Sequence, residues 1–142
     1  MTEEQEKKGR KKKKVDPMVW ETEQFLRSYL LGKKLLWMDQ YEREILGEDN
    51  PDCIWTPEDT RRRMARVRSF ILSLDNREEK LLLYLYYIRG ESMERCGELL
   101  DVTRSSVYRM RQRALALAAE RWAEKKQQAL QQRLESKQKE GA

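Results

Sequence analysis

Histidine is absent from this chain, and cysteine, proline and glycine are scarce: two, three and six residues among 142. Without histidine there is no Ser-His or Cys-His catalytic arrangement and no His-containing metal site. Cys53 and Cys96 lie too far apart for a CxxC motif, and two thiols cannot complete a four-ligand zinc site. A reduced, cytoplasmic chain without cofactor or metal is the simplest reading. No nucleophile paired with a base, no phosphate loop and no metal cluster is visible, so no enzyme activity and no catalytic residue are expected. No apolar run reaches membrane-spanning length, and the charged, Lys-rich start is unlike a secretory signal. Neither glycine nor proline occurs between Gly97 and Gly141, which favours an all-α chain over a turn-rich β-sandwich.

What the chain has in abundance is charge. Charged and hydrophobic residues each make up 39%, and the net charge is +5 with a sequence pI near 9.2. That composition predicts a modest core with solvated helix or tail around it. A mild basic excess fits a nucleic-acid partner, although Lys-rich tails alone would produce it, so distribution matters more than the total.

Residues 1–15 read as a polar, disordered arm. KKGRKKKK, Lys7 to Lys14, holds seven basic residues in eight. It is either a solvated tail or an arm that lies along a phosphate backbone, and both hold if it orders on binding. Asp16-Pro17 reads as an N-cap with proline at the first helical position. Leu26, Tyr29, Leu30, Leu36, Trp37, Tyr41 and Ile45 then recur at helical spacing, predicting an amphipathic helix to Leu46 that Gly32 divides in two. GEDNPDCIW, Gly47 to Trp55, is a linker, so 16–55 forms an N-terminal helical segment.

A second unit spans 56–122. Thr56 caps a helix with Pro57 at its first position and two acids in its first turn. Met64, Val67, Ile71 and Leu74 form its inner stripe. Arg61, Arg62, Arg63, Arg66 and Arg68 surround the other faces, as a solvated surface or as supporting phosphate contacts. LLLYLYYI, Leu81 to Ile88, has the length of a buried strand. Asp75 and Glu78, however, have capping-box spacing just before it, and nothing else offers a strand partner, so the pattern predicts a core helix over about 76–89. Arg89-Gly90 ends it.

The stretch GELLDVTRSSVYRMRQRALALA, Gly97 to Ala118, carries the functional signal. Ser92 caps a short helix to Leu100 whose inner residues are Met93, Cys96 and Leu100, with Gly97 permitting close approach of a crossing helix. Asp101-Val102-Thr103 is a turn in which Asp101 takes a left-handed conformation, Val102 plugs the angle between the helices and Thr103 caps the next. That next helix has Val107, Met110, Ala114 and Leu117 as its inner stripe. Ser105, Tyr108, Arg109 and Gln112 lie opposite, with Arg104, Arg111 and Arg113 at the edges. Formal charge is −3 from Glu91 to Asp101 and +4 from Val102 to Trp122. This is the pattern of a helix-turn-helix whose second helix enters the major groove N-terminus first. Small hydroxyls at its start allow close approach, and arginines one turn later reach guanine or phosphate. The expected DNA-binding set is Thr103, Arg104, Ser105, Ser106, Tyr108, Arg109, Gln112 and Arg113.

The segment from Asp75 to Ala119 resembles region four of bacterial sigma factors. The matching frame is Tyr87-Ile88-Arg89-Gly90-Glu91-Ser92, then Met93 to Leu100, then Val102-Thr103-Arg104-Ser105-Ser106-Val107-Tyr108, then Arg113-Ala114-Leu115. The chain departs from the family with Cys96-Gly97 in place of Ile-Ala and Asp101 in place of Gly. The resemblance implies that Arg104, Ser105, Ser106, Arg109 and Gln112 face a promoter element or an operator. The upstream part is too short for the regions that grip core polymerase and melt the promoter. The layout is therefore similar to the small sigma-like regulators of phages and prophages, of the ArpU and RinA type. The resemblance implies an all-α protein, an N-terminal helical segment followed by a helix-turn-helix, that regulates transcription. Double-stranded DNA is its expected partner, RNA polymerase a further one, and a homodimer would double the base pairs read. Two alternatives share the pattern: a small terminase subunit that packages phage DNA, and a helical adaptor that holds a partner through the Trp20 to Leu46 helix. The Gln- and Lys-rich end, 123–142, reads as a helical extension that frays after Lys125.

Overall fold

The computed structural model describes residues 16–47 and 56–141. The basic run Lys7 to Lys14 and the turn segment 48–55, with Cys53, lie outside the described residues. The protein is all-α: among the described residues there are α1 (Pro17–Leu46), α2 (Pro57–Leu72), α3 (Arg77–Leu83) continued by a π-helical turn (Tyr84–Ile88), α4 (Met93–Leu100) and α5 (Arg104–Glu140).

Local chemistry starts these helices. Asp16 accepts the Met18 N–H at 2.9 Å, Thr56 the Asp59 N–H at 3.1 Å, Ser92 the Arg95 N–H at 3.1 Å and Thr103 the Ser106 N–H at 3.3 Å. Each satisfies a backbone donor that a helix start leaves without an intrahelical partner. α3 corrects the expected frame by one residue. Its cap is Asn76, whose side chain accepts the Glu79 N–H at 3.1 Å, and not Asp75 with Glu78.

α1 runs unbroken through Gly32. The glycine serves packing instead of a break, because a Cβ there would lie 2.9 Å from Met64 Cγ and 3.2 Å from Thr60 Cγ2 of α2. α1 and α2 thus approach backbone to side chain. Leu26 and Tyr29 of α1 join Val67, Phe70 and Ile71 of α2, Leu83, Tyr87 and Ile88 of the α3 segment, and Ala114, Leu115 and Ala118 of α5 in one core. α1 and the helices that follow Thr56 therefore share a core. Phe25, Phe70 and Trp122 close its edge with ring centroids 4.3 to 5.7 Å apart.

The run LLLYLYYI is helical, but its second half widens into a π turn. Arg89 N–H reaches back five residues to Tyr84 O at 3.1 Å, and Glu91 N–H reaches Leu85 O at 3.0 Å. Gly90, with φ of +71°, lets the chain leave in a direction that L side chains disfavour.

α5 is longer than expected. It is one helix of 37 residues, roughly 55 Å, and it continues to Glu140 where fraying after Lys125 was expected. Its inner face also shifts along its length. Val107, Met110 and Ala114 are buried, but Leu117 is exposed, and the buried residues around it are Leu115, Ala118 and Ala119. The cause is a change of neighbour: the first turns pack on α3 and α4, the later ones on α1.

Candidate nucleic-acid interface

A second, smaller core sits under the start of α5. Leu82 of α3, Met93 and Cys96 of α4, and Val107 and Met110 of α5 are buried together, with Leu85, Tyr86, Leu100 and Val102 packed around them. Val102 occupies the angle between α4 and α5. Gly97 faces Val107, and a Cβ on it would stand 3.4 Å from the Val102 carbonyl oxygen and 3.6 Å from Val107 Cγ1. Burial, with the Glu91 carboxylate adding to it, pushes the Cys96 thiol pKa up, and the side chain packs inside this core.

The turn has the geometry that its residues dictate. Asp101 has φ 56° and ψ 48°, and it alone among the described non-glycine residues has a positive φ. Val102 N–H returns to Gly97 O at 3.0 Å and Asp101 N–H to Glu98 O at 3.2 Å, closing the end of α4. Two residues later Thr103 opens α5.

From that start, the exposed face of α5 carries Arg104, Ser105, Tyr108, Arg109, Gln112 and Arg113, with Thr103 exposed at its head. Ser106 is half-buried, and its hydroxyl accepts a 2.8 Å hydrogen bond from Thr103 Oγ1. Thr103 and Ser106 therefore hold the cap between them; Ser105 is exposed, with its hydroxyl 3.4 Å from Thr103 Oγ1. Ser106, Arg109, Gln112, Arg113 and Ala116 line a shallow groove along this face. Ala116, which carries no polar group to single it out in the sequence, lines the groove with them. Arg104, Arg109 and Arg113 make no ion pair among the described residues, and Arg109 Nε bonds only the Ser105 carbonyl, at 3.4 Å.

Arg111 does not belong to this face. It turns inward, where Nη2 lies 2.7 Å from Glu23 Oε1 of α1 and 3.4 Å from the Tyr87 hydroxyl, with the guanidinium 5.1 Å from the Tyr86 ring centre. The same Glu23 oxygen accepts from Arg27 at 2.8 Å and from the Tyr87 hydroxyl at 3.3 Å. This cluster ties α5 to α1 and to the π turn. Tyr87 is itself buried; that burial, opposed by Arg111 and reinforced by Glu23, pushes its hydroxyl pKa up to about 12.

The arginines of α2 also lie elsewhere. Arg62, Arg63 and Arg66 frame a cleft with Phe25, Phe70, Trp122 and Lys125. Trp122 is roughly 27 Å along α5 from Arg104, so these cations do not extend the exposed α5 face. Arg68 donates to the Tyr29 hydroxyl at 2.8 Å.

No protein-family model, curated protein or solved structure matches the chain. No helix among the described residues is long and apolar enough to cross a membrane, and no group of three or more His, Cys, Asp or Glu residues there is placed to hold a metal ion.

Proposed function

We propose that the protein is a sequence-specific DNA-binding transcription regulator in which α4, the Asp101–Thr103 turn and the first turns of α5 act as a helix-turn-helix. The observation that carries this reading is the combination at the start of α5. Three arginines without ion-pair partners among the described residues share one exposed helical face, backed by a closed apolar core. An exposed cationic face with small hydroxyls at its leading end suits a phosphate-lined groove of helix width. In this reading Arg104 and Arg113 supply salt-dependent phosphate contacts, and Ser105, Arg109 and Gln112 meet base edges, with Tyr108 packing beside them. Thr103 and Ser106 keep the leading end of the helix in shape.

The phage or prophage setting, and a role in contacting RNA polymerase, rest on the resemblance to sigma region four and its small phage relatives. The basic arm, Lys7 to Lys14, adds affinity without sequence choice.

Selection of bound sequences from a random duplex pool at near-physiological salt tests the proposal. Enrichment of one motif is the expected result. Binding that enriches nothing and vanishes as salt rises would refute sequence-specific reading and favour DNA packaging or an adaptor role. Within an enriched motif, Arg109→Ala is expected to cost roughly 1–3 kcal/mol and relax one base position. Uniform weakening across sequences would reassign Arg109 to a phosphate.

A further inference from the structure

The second half of α1 carries its largest apolar side chains on the wrong side for the core. Gly32 is buried against α2, with Leu36 and Asp39 half-buried on the same side. At about 100° per residue, the apolar Trp37, Tyr41 and Ile45 fall on the opposite side together with the exposed Lys34, and the apolar Leu31 and Met38 lie at its edge. The five apolar side chains are 50% to 64% exposed. Trp37 and Tyr41 stack on each other with ring centres 5.5 Å apart and planes 21° apart, forming a flat platform that faces away from the molecule. A face of this composition on a surface helix marks an interaction site.

Its charges say what it fits. Lys33 lies on one flank of the stripe near its beginning, and Glu44 lies on the same flank near its end. Lys33 makes no ion pair among the described residues, and Glu44 meets only the neutral Gln40 amide, at 3.0 Å. In a two-fold pairing of antiparallel helices, like flanks face each other and the direction reverses. Lys33 of one copy then meets Glu44 of the other, twice. The same register is centred between Met38 and Asp39. It sets the Trp37–Tyr41 platforms together and Ile45 against Leu31 at both ends. A parallel pairing would face unlike flanks and lose both ion pairs. If each large side chain contributes on the order of 100 Å² of the area it leaves exposed, the pairing buries roughly 1,000 Å² in total, which reaches the size of a specific interface.

We infer that the occupant of this face is a second copy of the chain, docked antiparallel through α1 with Lys33 against Glu44. The inference does not rest on the DNA-binding reading. The interface lies on α1 and uses no residue of the α5 face.

The test is the mass of the full-length protein in solution over a concentration series, by sedimentation equilibrium. The expected result is a reversible dimer of twice 17.2 kDa. Lys33→Glu and Glu44→Lys are each expected to weaken the dimer roughly tenfold by setting like charges opposite each other twice, and the double variant to recover to near the wild-type constant. Tyr41→Lys should yield monomer with unchanged helicity, because the position is exposed and outside the core. A monomer at every concentration would overturn the inference. So would a dimer that the charge variants leave unchanged, or a wild-type monomer that dimerises only when Ile54 and Trp55 are replaced by Ser. The last result would mean that the chain's own 48–55 segment covers the stripe.

Discussion

Glu23 accepts from Arg111, Arg27 and the Tyr87 hydroxyl through one oxygen, and Glu23→Gln perturbs that cluster directly. The substitution keeps the side chain's shape and removes its charge. Arg111 and Glu23 retain 21% and 18% side-chain exposure, and their nearest atoms are 2.7 Å apart. Two charges about 4 Å apart at an effective dielectric near 20 attract by roughly 4 kcal/mol, and partial loss of hydration offsets about half of it. A coupling of about 2 kcal/mol remains. The single variant costs more than the coupling, because Arg111 keeps its charge against only the Tyr87 hydroxyl and the Tyr86 ring. We expect about 3 kcal/mol, near the lower end for breaking a buried pair, and a fall in melting temperature of roughly 10 °C. Arg111→Met should cost less, since Glu23 still has Arg27. A double-mutant cycle by chemical denaturation isolates the coupling. The exposed Glu21–Lys126 pair, which also joins α1 to α5, is the internal control, with expected coupling below about 0.5 kcal/mol. The reasoning fails if the Glu23–Arg111 coupling is no larger than that of the control.

Three further outcomes are expected. Asp101→Gly should stabilise the protein by up to about 1 kcal/mol, because the left-handed turn penalises a Cβ, and Asp101→Val should destabilise it by more than about 1 kcal/mol; equal midpoints in urea for all three proteins would contradict the strain. Tyr87 holds its proton more tightly when folded, so its contribution to stability is complete below about pH 10 and is lost as the pH rises from there towards about 12. A tyrosinate absorbance titration should show a late phase that Tyr87→Phe removes, and tyrosines that all ionise together while the helices persist would refute it. Ending the chain after Gln128 should leave the melting temperature within about 2 °C while reducing helical ellipticity, because every described residue beyond that point is exposed; a large loss of stability would reveal a contact for the α5 extension.

Local signals made the helix starts legible. Asp16-Pro17, Thr56-Pro57, Ser92 and Thr103 each carry the cap within three residues of the backbone donor they satisfy, and the left-handed Asp101 follows from the same short-range logic. Where two frames were chemically equal, the pattern misled: Asp75 with Glu78 and Asn76 with Glu79 have the same spacing, and the helix starts from the second. Periodicity failed at Leu117 because α5 changes neighbours midway, which rotates the buried face onto Leu115 and Ala118. Arg111 was assigned to the outer edge of α5 because its partner, Glu23, lies 88 positions away. Of the candidate interface, the exposed set was readable from helical phase alone. The engagement of Ser106 with Thr103 and the part played by Ala116 were not, since both depend on side-chain geometry.

The π turn at Tyr84–Ile88 bears on how this chain should be aligned. A π turn houses one residue more than an α-helical turn, and each residue advances an α-helix by about 100°. Deleting one residue between Tyr84 and Ile88 would restore regular α geometry and leave both Leu82 and the start of α4 in place, because the wider turn absorbs the extra residue. A relative with an unbroken helix here is therefore one residue shorter between Leu82 and Cys96. An alignment scored without a gap at that point would put Cys96 opposite the position of Gly97 and shift every later residue, the turn at Asp101 included, by one. Placing a single-residue gap within Tyr84–Ile88 brings both ends into register.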